Sequence, residues 1–256
     1  MIENKDKLHN FPTVNWITLE KSVDRKEYMI SQLDSLGLKH NMIEGYDGLT
    51  TDYTNSPIVS GDFFYQMNSP QIAISISHVK NIKNWFENTD ENYGVFCEDD
   101  VLFETVNYWN FTWDDIINRL PENWQVVQLS LIKDNISEED MKLNKRYNIN
   151  WSAACYILTR EYAKYFLSKY VEDNGHYSLR VPDGFVPYSE NIIFFNEHHP
   201  LRLSLPLFTT ANFQSVFTPL FFDDSYTNVH LKSSSFILNW WKTQADNKNQ
   251  LDILFP

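Results

Sequence analysis

Glycine is scarce in this chain, with 7 among 256 residues, and neither a GxGxxG pattern nor a Walker A sequence occurs. That argues against the glycine-rich phosphate cradles of Rossmann dehydrogenases and P-loop enzymes. Cysteine is scarcer, with Cys97 and Cys155 the only two. Each sits in an apolar run and reads as a buried free thiol, and the pair supplies neither a disulfide framework nor zinc spacing. Positive charge is also short: 21 Lys and Arg stand against 34 Asp and Glu, for a net charge of −13. Phosphate backbones and anionic lipids both attract basic surfaces, which disfavours nucleic acid and a membrane surface as partners. No apolar run approaches the ~20 residues of a membrane span. The start, Met1 to Asn10, is polar and charged, unlike a signal peptide. A cytoplasmic protein without stable membrane insertion is expected.

Apolar and aromatic residues are plentiful, at 43% and 16%. They suffice for one α/β domain spanning residues 1–256. Thr13 to Leu19 reads as a short buried strand. A helix from Arg25 to Leu36 follows, with Ser22 and Asp24 as caps and Gly37 as its stop. Asn41 to Glu44 is a second strand, and Ile72 to Asn88 is a helix with one apolar face. Tyr93 to Cys97 is a third strand. Thr112 to Arg119 is a helix stopped by Pro121, and Trp124 to Leu131 is a fourth strand. Trp151 to Leu158 is a fifth, leading into a helix from Arg160 to Tyr170. Leu203 to Leu207 is expected at a sheet edge because of Pro206. The first ten residues read as a frayed start, 49–70 as irregular and 171–190 as a functional loop. The tail from Asn212 shows no clear period. Strands alternating with helices predict a mainly parallel central sheet flanked by helices.

The third strand ends abruptly in Glu98-Asp99-Asp100. Acids are poor strand formers, so three in a row at a strand end need a reason. Their oxygens are hard ligands suited to Mg²⁺ or Mn²⁺. In open α/β sheets ligands gather beyond the carboxyl ends of strands. A cation held there against a diphosphate is the layout of a nucleotide-sugar transferase. The bland alternative is a solvated acidic turn after a buried strand.

Four segments, in order, resemble glycosyltransferase family 25, which includes lipooligosaccharide and procollagen galactosyltransferases. Trp16-Ile17-Thr18-Leu19-Glu20-Lys21-Ser22-Val23-Asp24-Arg25 is similar to the family's opening NLDRSxDR pattern, with Gly45-Tyr46-Asp47-Gly48 at the expected distance. Ile76-Ser77-His78-Val79 resembles its LSH helix, and Cys97-Glu98-Asp99-Asp100 its LEDD strand end. Ala154 to Arg160 resembles its GYLISR step more weakly, and Pro182-Asp183 a downstream PxD. Thr18 stands where the family has Asn, and Ala73 where a Gly is usual. The resemblance implies a GT-A type fold, with residues 11–110 as the nucleotide-sugar half and 111–256 as the acceptor half and tail. It implies transfer of galactose or glucose from a UDP-sugar to a glycan or glycoconjugate acceptor, with inversion and with Mn²⁺ or Mg²⁺.

Within that picture Asp100 is the expected metal ligand. Glu98, two residues away on the same face of an extended chain, can join it. Asp99 then faces the other way or reaches the nucleotide. Thr18, Leu19, Arg25, Asp47, Ser77 and His78 are expected around the nucleotide sugar, with Arg25 forking onto the nucleotide or onto Asp47. His78 is expected to order the site through hydrogen bonds. An inverting transfer needs a base for the acceptor hydroxyl, and Asp183 and Glu190 are the candidates. His230 is the expected late metal ligand, with His198 and His199 as competitors. Trp240 and Trp241 either stack on a sugar or anchor the core. Two rival readings are an inactive glycan-binding or structural module on the same scaffold, and a metal-dependent nucleotidyltransferase or phosphohydrolase.

Overall fold

The computed structural model describes residues 3–61, 67–147, 150–180, 186–194, 202–211 and 224–256. The chain opens with a short helix α1 (Asn4–Lys7), strand β1 (Val14–Thr18), helix α2 (Val23–Ser35) and strand β2 (His40–Glu44). Strand β3 (Val59–Gly61), the long helix α3 (Ser69–Asn88), β4 (Tyr93–Glu98) and β5 (Val101–Leu102) follow. A 3-10 turn (Glu104–Tyr108), α4 (Trp113–Arg119), β6 (Val126–Gln128), β7 (Asn144–Lys145), β8 (Cys155–Thr159) and α5 (Arg160–Tyr170) come next. The later elements are β9 (Tyr177–Leu179), α6 (Ser189–Phe194), β10 (Arg202–Ser204), β11 (Thr209–Thr210), α7 (Asp224–Gln244) and α8 (Gln250–Leu254).

Among the described residues the central sheet has seven strands in the order β2-β1-β4-β8-β6-β10-β7. β2, β1 and β4 are mutually parallel, as are β6 and β10. β8 runs antiparallel between β4 and β6, and β7 antiparallel at the edge. The sheet is thus α/β and mainly one-directional, with helices on both faces. Alternation along the strands sorts the core into two layers. Val95, Cys97, Cys155 and Ile157 face α2, α4 and α7, while Phe96, Tyr156 and Leu158 face α3, α5 and α6. The register sets Cys97 opposite Cys155, where the two buried free thiols lie 3.3 Å apart.

Local chemistry explains the helix ends. Asn68 caps α3 through a reciprocal box with Gln71, and Pro70 fits the first turn. That moves the helix start ahead of the expected Ile72. Thr112 and Asp115 make the same box on α4. Gly37 takes φ +67° past the end of α2, the left-handed stop expected of it. Ser22, expected as a cap for α2, makes no side-chain capping bond.

Four expectations need correction. Residues 3–10 are not a frayed start: Lys7 is buried, its Nζ donating to the carbonyls of Val106 and Asn107 at 2.9 and 3.1 Å. β10 is interior, because β7 covers its outer side and Pro206 falls beyond the strand. The irregular stretch 49–70 and the loop 171–190 each contribute a strand, β3 pairing with β9 in parallel. The tail holds the 21-residue helix α7. Trp240 and Trp241 on it are core anchors, Trp241 donating to the Pro206 carbonyl and packing on Trp109 and Phe111.

Candidate functional site

The parallel strands β1, β2 and β4 end side by side, with Thr18 opposite Glu44 and Ile17 opposite Glu98. One step further along β4, Asp99 therefore falls beside Thr18. The Thr18 hydroxyl donates to Asp99 Oδ2 at 2.6 Å, and Arg25 from the start of α2 forms an ion pair with Asp99 Oδ1. Arg25 does not fork onto Asp47, as one expectation had it. Asp47 is held instead by Lys21 at 2.6 Å and by the Leu49 amide at 3.0 Å, a side-chain-closed turn. Burial works against Asp47 ionising, but the Lys21 and Leu49 bonds outweigh it and lower its pKa.

The three consecutive acids occupy three different environments. Glu98 accepts from His78 Nε2 at 3.3 Å. Burial pushes the Glu98 carboxyl up, but its hydrogen bond with His78, with Arg25 and His230 nearby, brings it below its ordinary value. Asp99 is almost fully buried; burial raises its pKa, and Arg25 and Thr18 offset that only partly. Among the described residues Asp100 has no such partner: its Oδ1 is buried without a hydrogen bond to any of them. Burial, reinforced by the charge of Glu98, pushes its carboxyl up to about 8. A carboxylate pair with one orphaned oxygen is short of positive charge. The charge of Glu98 thus bears on Asp100, while Asp99, in the turn that follows β4, meets β1 through Thr18.

Behind the acids, His78 is wholly buried, and its Nδ1 lies 3.1 Å from the Tyr156 hydroxyl. Ser77 uses its hydroxyl within the fold, accepting from the Tyr46 amide at 2.8 Å and donating to the Ala73 carbonyl at 2.7 Å. It thereby clamps the turn that begins at Gly45. The carbonyls of Thr18 and Leu19 are taken by the amides of Gly45 and Ser22, at 2.8 and 2.9 Å. Gly48 backs so closely onto Pro70 that a Cβ would have no room there.

The C-terminal region closes the other side. β11 pairs antiparallel with β5, and the Ala211 amide donates to the Asp100 carbonyl at 2.7 Å. His230 on α7 is hydrogen-bonded through Nε2 to Thr210, which also meets Ser234 at 3.2 Å. His230 lies close enough to Glu98 for each to affect the other electrostatically; burial lowers the histidine pKa and Glu98 opposes that. Glu190 accepts from Ser189 at 3.2 Å, and its charge bears on Arg146. Burial lowers that arginine to about 10, with Glu190 offsetting part of the fall. Asp183, His198 and His199 lie outside the described residues.

Among the described residues no three His, Cys, Asp or Glu side chains form a cluster able to hold a metal. Mg²⁺-type sites often use one or two carboxylates and take their remaining ligands from water and substrate phosphates. The orphaned Asp100 Oδ1 beside Glu98 fits that sparse arrangement. Tyr156 and Thr210 escaped sequence reading. The first looked like one more apolar strand residue, and the second reaches the acids only through the β5–β11 pairing.

The three acids stand at the carboxyl end of β4 in a mainly parallel sheet, the side on which ligands gather in open α/β folds. The model of glycosyltransferase family 25 (LPS biosynthesis protein) matches residues 12–178, and the chain belongs to that family of glycosyltransferases. No curated protein matches the chain. Two solved structures show slight similarity. A197 from STIV is 9% identical over 78% of this chain and 84% of that one, with a TM-score of 0.43. A Drosophila β1,4-galactosyltransferase 7 mutant in complex with manganese, UDP-Gal and xylobiose is 11% identical over 70% and 67%, with a TM-score of 0.33. Among the described residues no helix is long and apolar enough to cross a membrane.

Proposed function

We propose that this glycosyltransferase moves a hexose, galactose or glucose, from a UDP-sugar to a glycan or glycoconjugate acceptor, with inversion at the anomeric carbon and with Mn²⁺ or Mg²⁺ bound. The reading rests on one observation: among the described residues, only Asp100 of the three adjacent acids keeps a buried oxygen without a partner, and it does so beside Glu98, whose pKa is lowered. Asp100 and Glu98 would hold the cation, with His230 next to them on the C-terminal side. The ion's role when bound is to neutralise the diphosphate leaving group. Arg25 and Thr18 fix Asp99 and so hold the floor of the nucleotide half. Lys21 and Asp47 shape the turn beside it. The acceptor hydroxyl needs a carboxylate to take its proton. Asp183 and Glu190 are the two candidates. We place the enzyme in the cytoplasm as a single domain.

The test is thermal stability against a panel of nucleotides and nucleotide sugars, each with and without Mn²⁺, followed by assay of released nucleoside diphosphate. A ligand that binds only the native state raises the melting temperature by mass action. A Mn²⁺-dependent shift with UDP or a UDP-sugar, lost in Asp100→Ala, is expected. Release of phosphate or pyrophosphate instead of UDP would move the assignment to a phosphohydrolase or nucleotidyltransferase.

A further inference from the structure

Tyr156 lies in the middle of β8 and is fully buried, yet its hydroxyl meets His78 Nδ1 at 3.1 Å. The ring is held from two sides, stacked on Phe96 at 5.4 Å and edge-on to Phe194 at 5.9 Å. His78 is likewise fully buried in α3, and its other nitrogen faces Glu98 Oε1 at 3.3 Å. An ionised carboxylate can only accept hydrogen bonds, so Nε2 carries the proton. In a neutral imidazole Nδ1 is then bare and takes the Tyr156 proton. Burial holds the Tyr156 hydroxyl well above its ordinary pKa, so that proton stays in place. The three groups form one chain, Tyr156 to His78 to Glu98, which starts in the core and ends at the acid pair.

We propose that Tyr156 is a positioning residue for the nucleotide-sugar site: it fixes the ring orientation and tautomer of His78 so that Nε2–H is aimed at Glu98, and Glu98 is thereby held beside Asp100. The proposal rests on the reading of Glu98 and Asp100 as the cation and diphosphate end of the site. Partners of this kind behind a metal ligand carry about 10–100-fold in affinity or activity. Without the hydroxyl, a buried Nδ1 has no partner, and the ring is free to change tautomer or turn.

The test uses the full chain. Histidine ¹⁵N NMR of the wild type should show one ring with a protonated Nε2 and a bare, hydrogen-bonded Nδ1, assigned to His78 by its loss in His78→Gln. In Tyr156→Phe those signals should shift or broaden towards tautomer exchange. UDP binding with Mn²⁺, measured by calorimetry, should weaken about 10–100-fold in Tyr156→Phe. His78→Gln keeps an N–H for Glu98 that no longer depends on Tyr156. Adding Tyr156→Phe to it should therefore cost nothing further. An equal loss in both backgrounds, or a protonated Nδ1 in the wild type, overturns the proposal. If Tyr156→Phe fails to fold, the wild-type spectrum decides alone: a protonated Nε2 supports the chain and a bare Nε2 refutes it. Absence of any Mn²⁺-dependent UDP binding by the wild type would instead sink the functional reading, and the NMR result would stand apart from it.

Discussion

Residues 14–61 and 67–100 bring their charges to the site at the ends of neighbouring parallel strands, whereas residues 202–211 and 224–234 reach the same place through a short antiparallel patch and a helix. In the first region each acid at the end of β4 is met directly by side chains from β1 and the flanking helices: Thr18 and Arg25 on Asp99, His78 on Glu98. In the second, His230 depends on a relay, β5 to β11, Thr210 to His230. Strand ends in register place groups by backbone geometry alone. A relay through side chains needs every link. The N-terminal region should therefore carry chemistry that fails outright when a residue is lost, and the C-terminal region should tune it.

The largest effect is expected at Asp100. Asp100→Ala should abolish sugar transfer while far-UV circular dichroism and melting in EDTA show an intact fold. Lewis-acid neutralisation of a leaving group contributes several kcal/mol, so at least about a hundredfold loss in turnover is expected. Turnover close to wild type would remove Asp100 from the cation site. The same carboxyl gives a pH signature without metal. Its folded pKa is raised to about 8, above the unfolded carboxylate range. The fold thus favours the protonated acid, and that stability is lost as pH rises from the unfolded value through about 8. Asp100→Asn should flatten the fall in urea midpoint between about pH 6 and pH 9 in EDTA. An unchanged slope would mean the carboxyl is not held protonated.

Arg25→Ala comes next. It strands Asp99, whose side chain is 6% exposed against 15% for Arg25. Breaking a buried pair from one side costs about 3–5 kcal/mol. Since burial already raises the Asp99 pKa, protonation should limit the loss to about 3 kcal/mol. Denaturant unfolding of Arg25→Ala, Asp99→Asn and the double variant measures this, and the double should recover most of the stability. Thr18→Val removes a 2.6 Å hydroxyl from the same carboxylate. Hydrogen bonds to charged groups are worth about 1.5–3 kcal/mol, and with Arg25 still in place the lower figure is expected.

The contrast between the regions also sets how much could be read in advance. β1, β4, α3 and the acids were legible because strand alternation, the Ser77-His78 pair and the run Glu98-Asp99-Asp100 are local signals. The partner each acid would meet was less legible, because β4 ends at Glu98 and the chain turns at Asp99 and Asp100. Lys7, Thr210 and Tyr156 were not legible, since each acts on a residue far along the chain: Val106, His230 and His78. α7 was missed because its apolar residues include two adjacent tryptophans and its polar ones are mostly Ser, Asn and Thr, which blur the helical period. Arg25 shows the limit of motif reading. Its position beyond the opening strand was legible, but which carboxylate it would meet was decided by the register of β1 on β4.

The smallest effect tests the relay itself. His230 shares Thr210 with Ser234 and sits near Glu98. If the C-terminal region only tunes the site, His230→Ala should lower Mn²⁺-dependent transfer about tenfold and leave UDP binding without metal unchanged. Thr210→Val should give a smaller loss of the same kind, because it frees the histidine without deleting it. The size of the His230 effect relative to Asp100→Ala decides what the second region contributes. Equal losses would make His230 an obligate part of the cation site and erase the contrast. No loss would leave the strand ends of the N-terminal half to do the chemistry with substrate oxygens alone. An intermediate loss that disappears in the Thr210→Val background would show that the histidine acts only when its hydroxyl partner aims it, and that the β5–β11 pairing is what carries the C-terminal region to the acids.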